Sequence, residues 1–427
     1  MDTERSSVPA IRSALAAACP LLWDGSASKA VAGMVPSFVA SPASTEEASA
    51  LMRVAASSGL AVVPRGAGTG LSWGAPPSSC DLVVDLRLMD RVIEHAAGDL
   101  VARVQAGVTI GQLAAVLASA GQQLAVDAPE DATVGGVVAT GTAGPRRFRY
   151  GAPRDLLIGV TVVRADGVVA HSGGKVVKNV AGYDLGKLFA GSQGTLGLIT
   201  EVTFRLHPQP PAVAWVAGEF GPSDRAGAVA AVAAAAGSAL VPSAVELDWP
   251  GGTQRALRVG VLVEGTSSGV AERAKQFSEL MAAVGGAAAV TDVRPARWGQ
   301  LPTSSVVIRV SFWVSSLGAV LEALAAAAAD AGVRPAASGP AGAGALYACL
   351  DPGTSEDDAA RFVAILRERI GGILGARGSV VVLAAPPPVL EAVSATGMIP
   401  GVALMRAVKD QFDPGHRMFP GRLMEGS

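Results

Sequence analysis

Pro64-Arg65-Gly66-Ala67-Gly68-Thr69-Gly70-Leu71-Ser72 is the stretch on which the reading of this chain turns. It follows Leu60-Ala61-Val62-Val63, an apolar run that predicts a buried strand. A strand that opens into Gly-x-Gly-x-Gly exposes a row of backbone N–H groups. Without Cβ atoms that backbone can curl around an anion and approach it closely. Arg65 adds a fixed cationic fork at the entrance. The ligand suited to such a loop is a phosphate or pyrophosphate, although glycine-rich turns that hold no ligand are also common.

The flanks frame the loop with regular elements. Ser44-Thr45-Glu46-Glu47 is a capping box that opens a helix with Leu51, Val54 and Ala55 on its apolar face and Gly59 at its end. Residues 82–86 and 101–106 predict two further strands. Thr109 caps a second helix, with Ile110, Leu113 and Leu117 at helical spacing and Gly121 closing it. Residues 160–165 and 168–170 flank Asp166-Gly167, a strong hairpin signal. Between them lies Thr133-Val134-Gly135-Gly136, in a small-residue stretch without charge. Residues 178–199 are rich in turn-forming glycine, which predicts backbone in close approach to something.

After His207-Pro208-Gln209-Pro210-Pro211 the texture changes, and this proline cluster is the clearest domain boundary. Beyond it, apolar runs at 213–220, 244–248, 257–263, 305–312, 346–350 and 380–384 predict strands. Runs at 226–236, 270–284, 317–331 and 355–370 predict helices. The order suggests two β-α-β units side by side, a layer of helices on an antiparallel sheet in the ferredoxin-like manner.

The composition excludes several function classes. A chain of 427 residues is expected to form two or three domains. Net charge is −2, so no basic footprint for nucleic acid exists. Charged residues make up 16%, below the usual share of about 25%. Either the Ala- and Gly-rich composition or a large interface with partner subunits accounts for that. Cys19, Cys80 and Cys349 form neither a disulfide framework nor a metal set, which fits a reducing cytosol. The N-terminal stretch is a poor signal peptide, and no apolar run approaches the ~20 residues that span a bilayer.

Taken together, Pro64 to Gly70, Thr133 to Gly136, Tyr150-Gly151 and Gly191-Ser192-Gln193-Gly194-Thr195-Leu196-Gly197-Leu198-Ile199-Thr200 resemble the FAD-binding domain of the vanillyl-alcohol oxidase or p-cresol methylhydroxylase type. The tail pair Asp413-Pro414 and Pro420-Gly421 is similar to the C-terminal tail of that group. Within it, Gly173-Gly174-Lys175-Val176-Val177-Lys178-Asn179-Val180-Ala181-Gly182-Tyr183-Asp184-Leu185 resembles the FAD-binding subunit of bacterial glycolate oxidase (GlcE).

The resemblance implies an α+β fold. A two-subdomain FAD-binding domain would span 1–210, with its motif core at 35–210. A ferredoxin-like cap would span 211–400, and a segment at 401–427 would return to the FAD domain. It implies that Pro64, Arg65, Gly66, Ala67, Gly68, Thr69, Gly70 and Leu71 wrap the FAD pyrophosphate. Pro129, Thr133, Val134, Gly135, Gly136 and Ala139 would line the other side of the cofactor. Gly144 and Gly151 would let the chain pass close to it, and Gly197, Leu198 and Ile199 would bond to it through the backbone.

The implied function is that of an FAD-binding subunit in a cytoplasmic glycolate oxidase complex, oxidising a small 2-hydroxy acid. Partners would be a larger FAD-linked catalytic subunit and an iron–sulfur subunit, and any membrane contact would be peripheral and made through those partners. Two alternatives stand beside it: a self-contained FAD-linked dehydrogenase of a small 2-hydroxy acid, and a non-catalytic scaffold subunit with structural FAD.

Three departures from the family pattern refine this. Thr69 stands where covalently flavinylated relatives carry His, which implies non-covalent FAD. No His lies between His207 and His416, so no imidazole metal site can be built there and no metal is expected. Phe419 stands where the tail normally carries Asn. No residue is assigned as catalytic. Lys178, Tyr183 and Arg309 are the candidates, the first two either binding a substrate carboxylate or supporting the loop. Arg146, Arg147, Arg149 and Arg154 around Tyr150 face either an anion or solvent.

Overall fold

Ser44 caps helix Thr45–Ser57 by accepting a hydrogen bond from the Glu47 N–H, while the Glu47 carboxylate reaches back to the Ala43 N–H at 2.9 Å. The helix buries Leu51, Met52 and Ala55 and delivers the chain into strand Val62–Arg65. That strand runs parallel to Leu82–Asp85, which runs parallel to Phe38–Ala40, and Leu22–Asp24 closes the far edge antiparallel. Strands covered on both faces read as unbroken apolar runs, and Leu82 to Asp85 are all buried.

These elements come from a computed structural model that describes residues 2–175, 183–251, 255–397 and 400–423. Lys178, and Asn179 beside it, lie outside the described residues. The chain divides into two compact units. The first comprises Met1–Thr142, Ala152–Gln209 and Gly401–Ser427; the second comprises Ala143–Gly151 with Pro210–Pro400. The continuous 1–210 stretch expected from sequence is thus interrupted: residues 143–151 group with the second unit. A physical reason is visible within that unit, where the Arg149 guanidinium donates to Ser243 Oγ at 3.1 Å and Tyr150 donates to Glu264 at 2.7 Å.

The first unit holds a second sheet, fully antiparallel, in the order Val92–Ala96, Val101–Gln105, Leu198–Arg205, Leu157–Val163, Val169–Gly173. The last two strands form the hairpin signalled by Asp166-Gly167, with Gly167 at φ +82°. Helix Ile110–Ala118 carries the reciprocal capping box of Thr109 and Gln112. Leu113, Leu117, Val134, Val138, Phe189, Val202 and Phe204 share one core cluster beneath this sheet.

The second unit is one eight-stranded antiparallel sheet under helices. Its spatial order is Ala287–Thr291, Ala212–Phe220, Leu257–Gly265, Ala244–Trp249, Pro335–Gly339, Ala345–Leu350, Val307–Ser311, Ser379–Ala384. Each half is a β-α-β-β-α-β unit in ferredoxin-like order, and the halves join strand to strand between Ala244–Trp249 and Pro335–Gly339. The helices are Arg225–Ala236 and Ser267–Ala283 in the first half, Leu317–Ala331 and Glu356–Leu374 in the second. Residues Val314–Ala331 are apolar and long enough to cross a bilayer by length and composition. Here Leu317, Val320, Leu321, Leu324 and Ala327 of that stretch are buried, as in the amphipathic helix of a packed layer.

Candidate functional site

The strand Val62–Arg65 ends where the glycine loop begins, and there the backbone donors turn away from the chain. Among the described residues, no backbone N–H from Gly66 to Gly70 finds an acceptor. Arg65 folds back beneath the loop, its Nε 3.6 Å from where a Gly68 Cβ would stand, and that Nε is buried without a partner. A row of free N–H groups over an unpaired guanidinium edge is a nest for an anion.

Glycine is required here by space as well as by conformation. A Cβ on Gly66 would lie 2.1 Å from Thr133 Oγ1, and one on Gly70 would lie 2.9 Å from Thr140 Cγ2. Gly68 itself is at φ +89°. The Thr133 hydroxyl cannot move aside freely, because it caps helix Val134–Thr140 by accepting from the Gly136 N–H at 3.3 Å. The helix is pressed onto the end of strand Val101–Gln105, with the Gly135 N–H bonded to Ala106 O at 2.9 Å and no room for a side chain, since a Gly135 Cβ would meet Ala106 Cβ at 2.7 Å. The loop, the helix start and the turn at Gly197 thus converge on one cavity.

Pro64, Arg65, Gly66, Ala67, Gly68, Thr69, Gly70 and Leu71 line one side of that cavity. Thr133, Gly135, Gly136, Ala139, Gly197 and Ile199 line the rest. Pro129, Val134, Gly144, Gly151 and Leu198 stand off it. Val134 and Leu198 are fully buried in separate core clusters, Leu198 because strand alternation turns it away from the face that carries Ile199. Gly144 and Gly151 belong to the segment grouped with the second unit. Tyr183 is 92% exposed, and Arg309 lies in the second unit on strand Val307–Ser311.

Sequence reasoning missed Leu86, Ala106, Thr140 and Arg422, which line the cavity; Gln193, Gly194 and Phe419, quoted there as motif positions without a lining role, line it too. Arg422 matters most. It is 3% exposed, and its guanidinium donates to Gly70 O at 2.7 Å, Leu71 O at 3.1 Å, Ala75 O at 3.2 Å and Gln193 Oε1 at 3.0 Å. It also stacks on the Phe419 ring at 4.6 Å. Gln193 in turn donates its backbone N–H to Ala139 O at 2.7 Å, so one arginine ties the phosphate-type loop, the tail and the helix end together. Burial pushes the guanidinium down to about 10, which still leaves it charged at neutral pH, and no carboxylate pairs with it among the described residues.

The tail is anchored from several sides. Val62 donates to Arg417 O at 2.7 Å and Phe419 donates back to Val62 O at 2.8 Å, a short parallel bridge alongside the strand that leads into the loop. Below it, Lys409 Nζ donates to Asp413 Oδ2 at 2.6 Å and to Thr195 O and Met418 O at 2.8 Å each. Burial lowers the Lys409 pKa, and Asp413 opposes that shift. Phe419 has φ +43°, a conformation that Asn tolerates better than Phe; its ring is 3% exposed among Val31, Val39, Val63, Cys80 and Val83.

Comparison with known proteins now decides the ligand. Residues 36–173 match the family of the FAD binding domain. Glycolate oxidase subunit GlcD of Bacillus subtilis is 37% identical over 178 residues, 41% of this chain and 38% of that one. D-lactate dehydrogenase of Archaeoglobus fulgidus is 40% identical over 172 residues, 40% of this chain and 39% of that one. The match spans less than half the length of these curated relatives. The crystal structure of p-cresol methylhydroxylase with substrate bound superposes with a TM-score of 0.78 at 18% identity, covering 98% of this chain and 97% of that one.

The cofactor is FAD. The fold is that of the p-cresol methylhydroxylase type, and the residues present suit the group. Free loop N–H groups and the unpaired Arg65 Nε match a pyrophosphate, and the loop is a cradle that Cβ atoms would fill. Small apolar groups at Ala106, Gly135, Ala139 and Ile199 suit flat rings.

Proposed function

We propose that the chain is the FAD-binding subunit of a 2-hydroxy acid dehydrogenase complex of the glycolate oxidase kind, acting in the cytoplasm. The observation that carries the reading is the cavity built from the glycine loop and Thr133 to Ala139, inside the 36–173 match to the FAD binding domain, and similarity over 178 and 172 residues to a glycolate oxidase subunit and a D-lactate dehydrogenase supports it. Bound FAD supplies the acceptor for the hydride of a hydroxy acid's carbinol carbon.

The chain's own residues supply the rest. The Gly66 to Gly70 N–H groups and Arg65 hold the pyrophosphate. Arg422 fixes the loop's carbonyls so that its N–H groups keep facing the cavity, and adds a buried positive charge that attracts the same anion. Ala106, Ala139 and Ile199 exclude water from the apolar part of the cofactor. Attachment is non-covalent in this reading, because no His, Cys or Tyr is among the described residues that line the cavity.

Electrons leave through partners, a larger FAD-linked catalytic subunit and an iron–sulfur subunit. The three cysteines, Cys19, Cys80 and Cys349, cannot provide the four thiolates of a cluster. The test is anaerobic addition of glycolate to the purified chain, alone and with its complex. Bleaching of the flavin that is slow alone and fast in the complex supports the reading. Bleaching equally fast in the isolated chain contradicts the subunit assignment, and no bleaching in either contradicts the hydroxy-acid assignment.

A further inference from the structure

One rung of the second unit's sheet is polar across four strands. Asp248, Ser338, Tyr347, Arg309 and Val381 are successive Cα partners on neighbouring strands. Their chain neighbours Ile308, Val310, Leu346 and Ala348 are fully buried, so by alternation Tyr347 and Arg309 stand on the opposite face. Partners directly opposed across strands hold their Cβ atoms about 4.5–5.5 Å apart, which places the Arg309 and Tyr347 side chains together. Segment 143–151 lies against the same face, through Tyr347 and Ala143 O, Arg149 and Ser243, and Tyr150 and Glu264.

The polar groups of this cluster are not matched to one another. Tyr347 is 7% exposed, yet its hydroxyl has only Ala143 O as a partner, at 3.5 Å. Arg309 Nε is buried without a partner. Among the described residues, no carboxylate pairs with Arg309 or with Arg147. Asp248, at the far end of the rung, has its charge met by Arg297 and Arg258. Burial raises the Tyr347 phenol while Arg309 and Arg147 pull it back, so the hydroxyl remains a donor at neutral pH. Val307, Leu383, Leu301 and Val381 add a short apolar wall beside it. Two guanidiniums and a buried hydroxyl donor without a counter-charge lack one chemical partner, an anion with acceptor oxygens.

We propose that Arg309, Tyr347 and Arg147 form a subsite for the carboxylate of a small organic acid. Under the hydroxy-acid reading, on which this use rests, the subsite selects substrates that carry a carboxylate over neutral alcohols. Arg309 supplies the planar fork and Tyr347 the orienting hydroxyl, while Arg147 adds charge from the 143–151 segment.

The test is calorimetric titration of the FAD-loaded full chain with oxalate, a carboxylate that the enzyme cannot oxidise. Arg309→Met is expected to weaken oxalate about 10- to 100-fold, and Tyr347→Phe about 3- to 10-fold. Arg309→Lys should recover part of the loss, with flavin content and thermal midpoint unchanged in all three. Should Arg309→Met fail to fold, Tyr347→Phe, which keeps the ring, decides. Oxalate affinity equal to wild type in these variants, or no oxalate binding by the wild type, overturns the subsite. Glycolate bleaching read in parallel separates the two proposals. Arg309-dependent oxalate binding without bleaching keeps the subsite and removes the hydroxy-acid reading. Bleaching with an unchanged half-saturation in Arg309→Met does the reverse.

Discussion

Arg422 shows how one side chain can organise a site from far along the chain, 352 residues beyond the Gly70 carbonyl that it holds. Its cation is held by the carbonyls of Gly70, Leu71 and Ala75 and by Gln193. Replacing it by Met removes the guanidinium bonds to the Leu71 and Ala75 carbonyls and leaves Gly70 O only the Trp73 N–H, and each lost bond to a charged group is worth about 1.5–3 kcal/mol before relaxation. Arg422→Met should therefore weaken FAD by at least about tenfold, read by fluorescence titration of the apo-protein. Arg422→Lys should fall between, because a point charge cannot reproduce the fork. Equal FAD affinity in Arg422→Met contradicts this role. Gly66→Ala tests space at the same site. Its Cβ would stand 2.1 Å from Thr133 Oγ1, so the helix cap must move. Loss of such a cap costs about 1 kcal/mol, and FAD occupancy should fall with it.

At the scale of the element, the tail and the 143–151 segment carry the predictions. Asp413 is fully buried, as Lys409 nearly is, and removing one partner of such a pair costs about 3–5 kcal/mol. Asp413→Ala should lower the unfolding free energy by that order in chemical denaturation; a change below about 1 kcal/mol contradicts the clamp. Tyr150 gives a pH signature. Burial, and then its hydrogen bond to Glu264, push the phenol up to about 12 from 10.0. A raised folded value stabilises fully below the unfolded one, so the contribution is complete below pH 10 and disappears as the pH rises from 10 toward 12. The loss of stability between pH 8 and 11 should be smaller in Tyr150→Phe than in wild type; an equal loss in both removes the role assigned to this bond.

The same scale shows what was legible. Strand Val62–Arg65, helix Ile110–Ala118 and the hairpin at Gly167 carry strong local signals, in an apolar run, a capping box and an Asp-Gly turn. Helix Val134–Thr140 is short and built from small residues without an amphipathic period, so nothing local announced it. Val92–Ala96 and Ala287–Thr291 are edge strands with weak burial, and Pro335–Gly339 starts on Pro and ends on Gly. The cavity's glycines were readable because close approach demands them. Phe419 was marked by its place in the tail motif, but its burial beside the loop was not, and Arg422 was not legible at all, because its partners are set by tertiary contacts with Gly70, Leu71, Ala75 and Gln193.

For the whole molecule, the fold and FAD rest on the residues 36–173 match, the superposition and the cavity's own geometry. Glycolate bleaching of the flavin, in the chain alone and in its complex, tests substrate and partners. The central claim is that the glycine loop is the pyrophosphate seat. An Asp at position 68 would place a carboxylate about 4 Å from a phosphate, a repulsion of about 4 kcal/mol when partly desolvated. The most direct measurement is FAD titration of the apo-protein, wild type against Gly68→Asp, followed by acid precipitation of the loaded protein. The account predicts about one FAD per wild-type chain, released into the acid supernatant, and no saturable binding by Gly68→Asp. Full occupancy in Gly68→Asp would place the phosphate site elsewhere and contradict it.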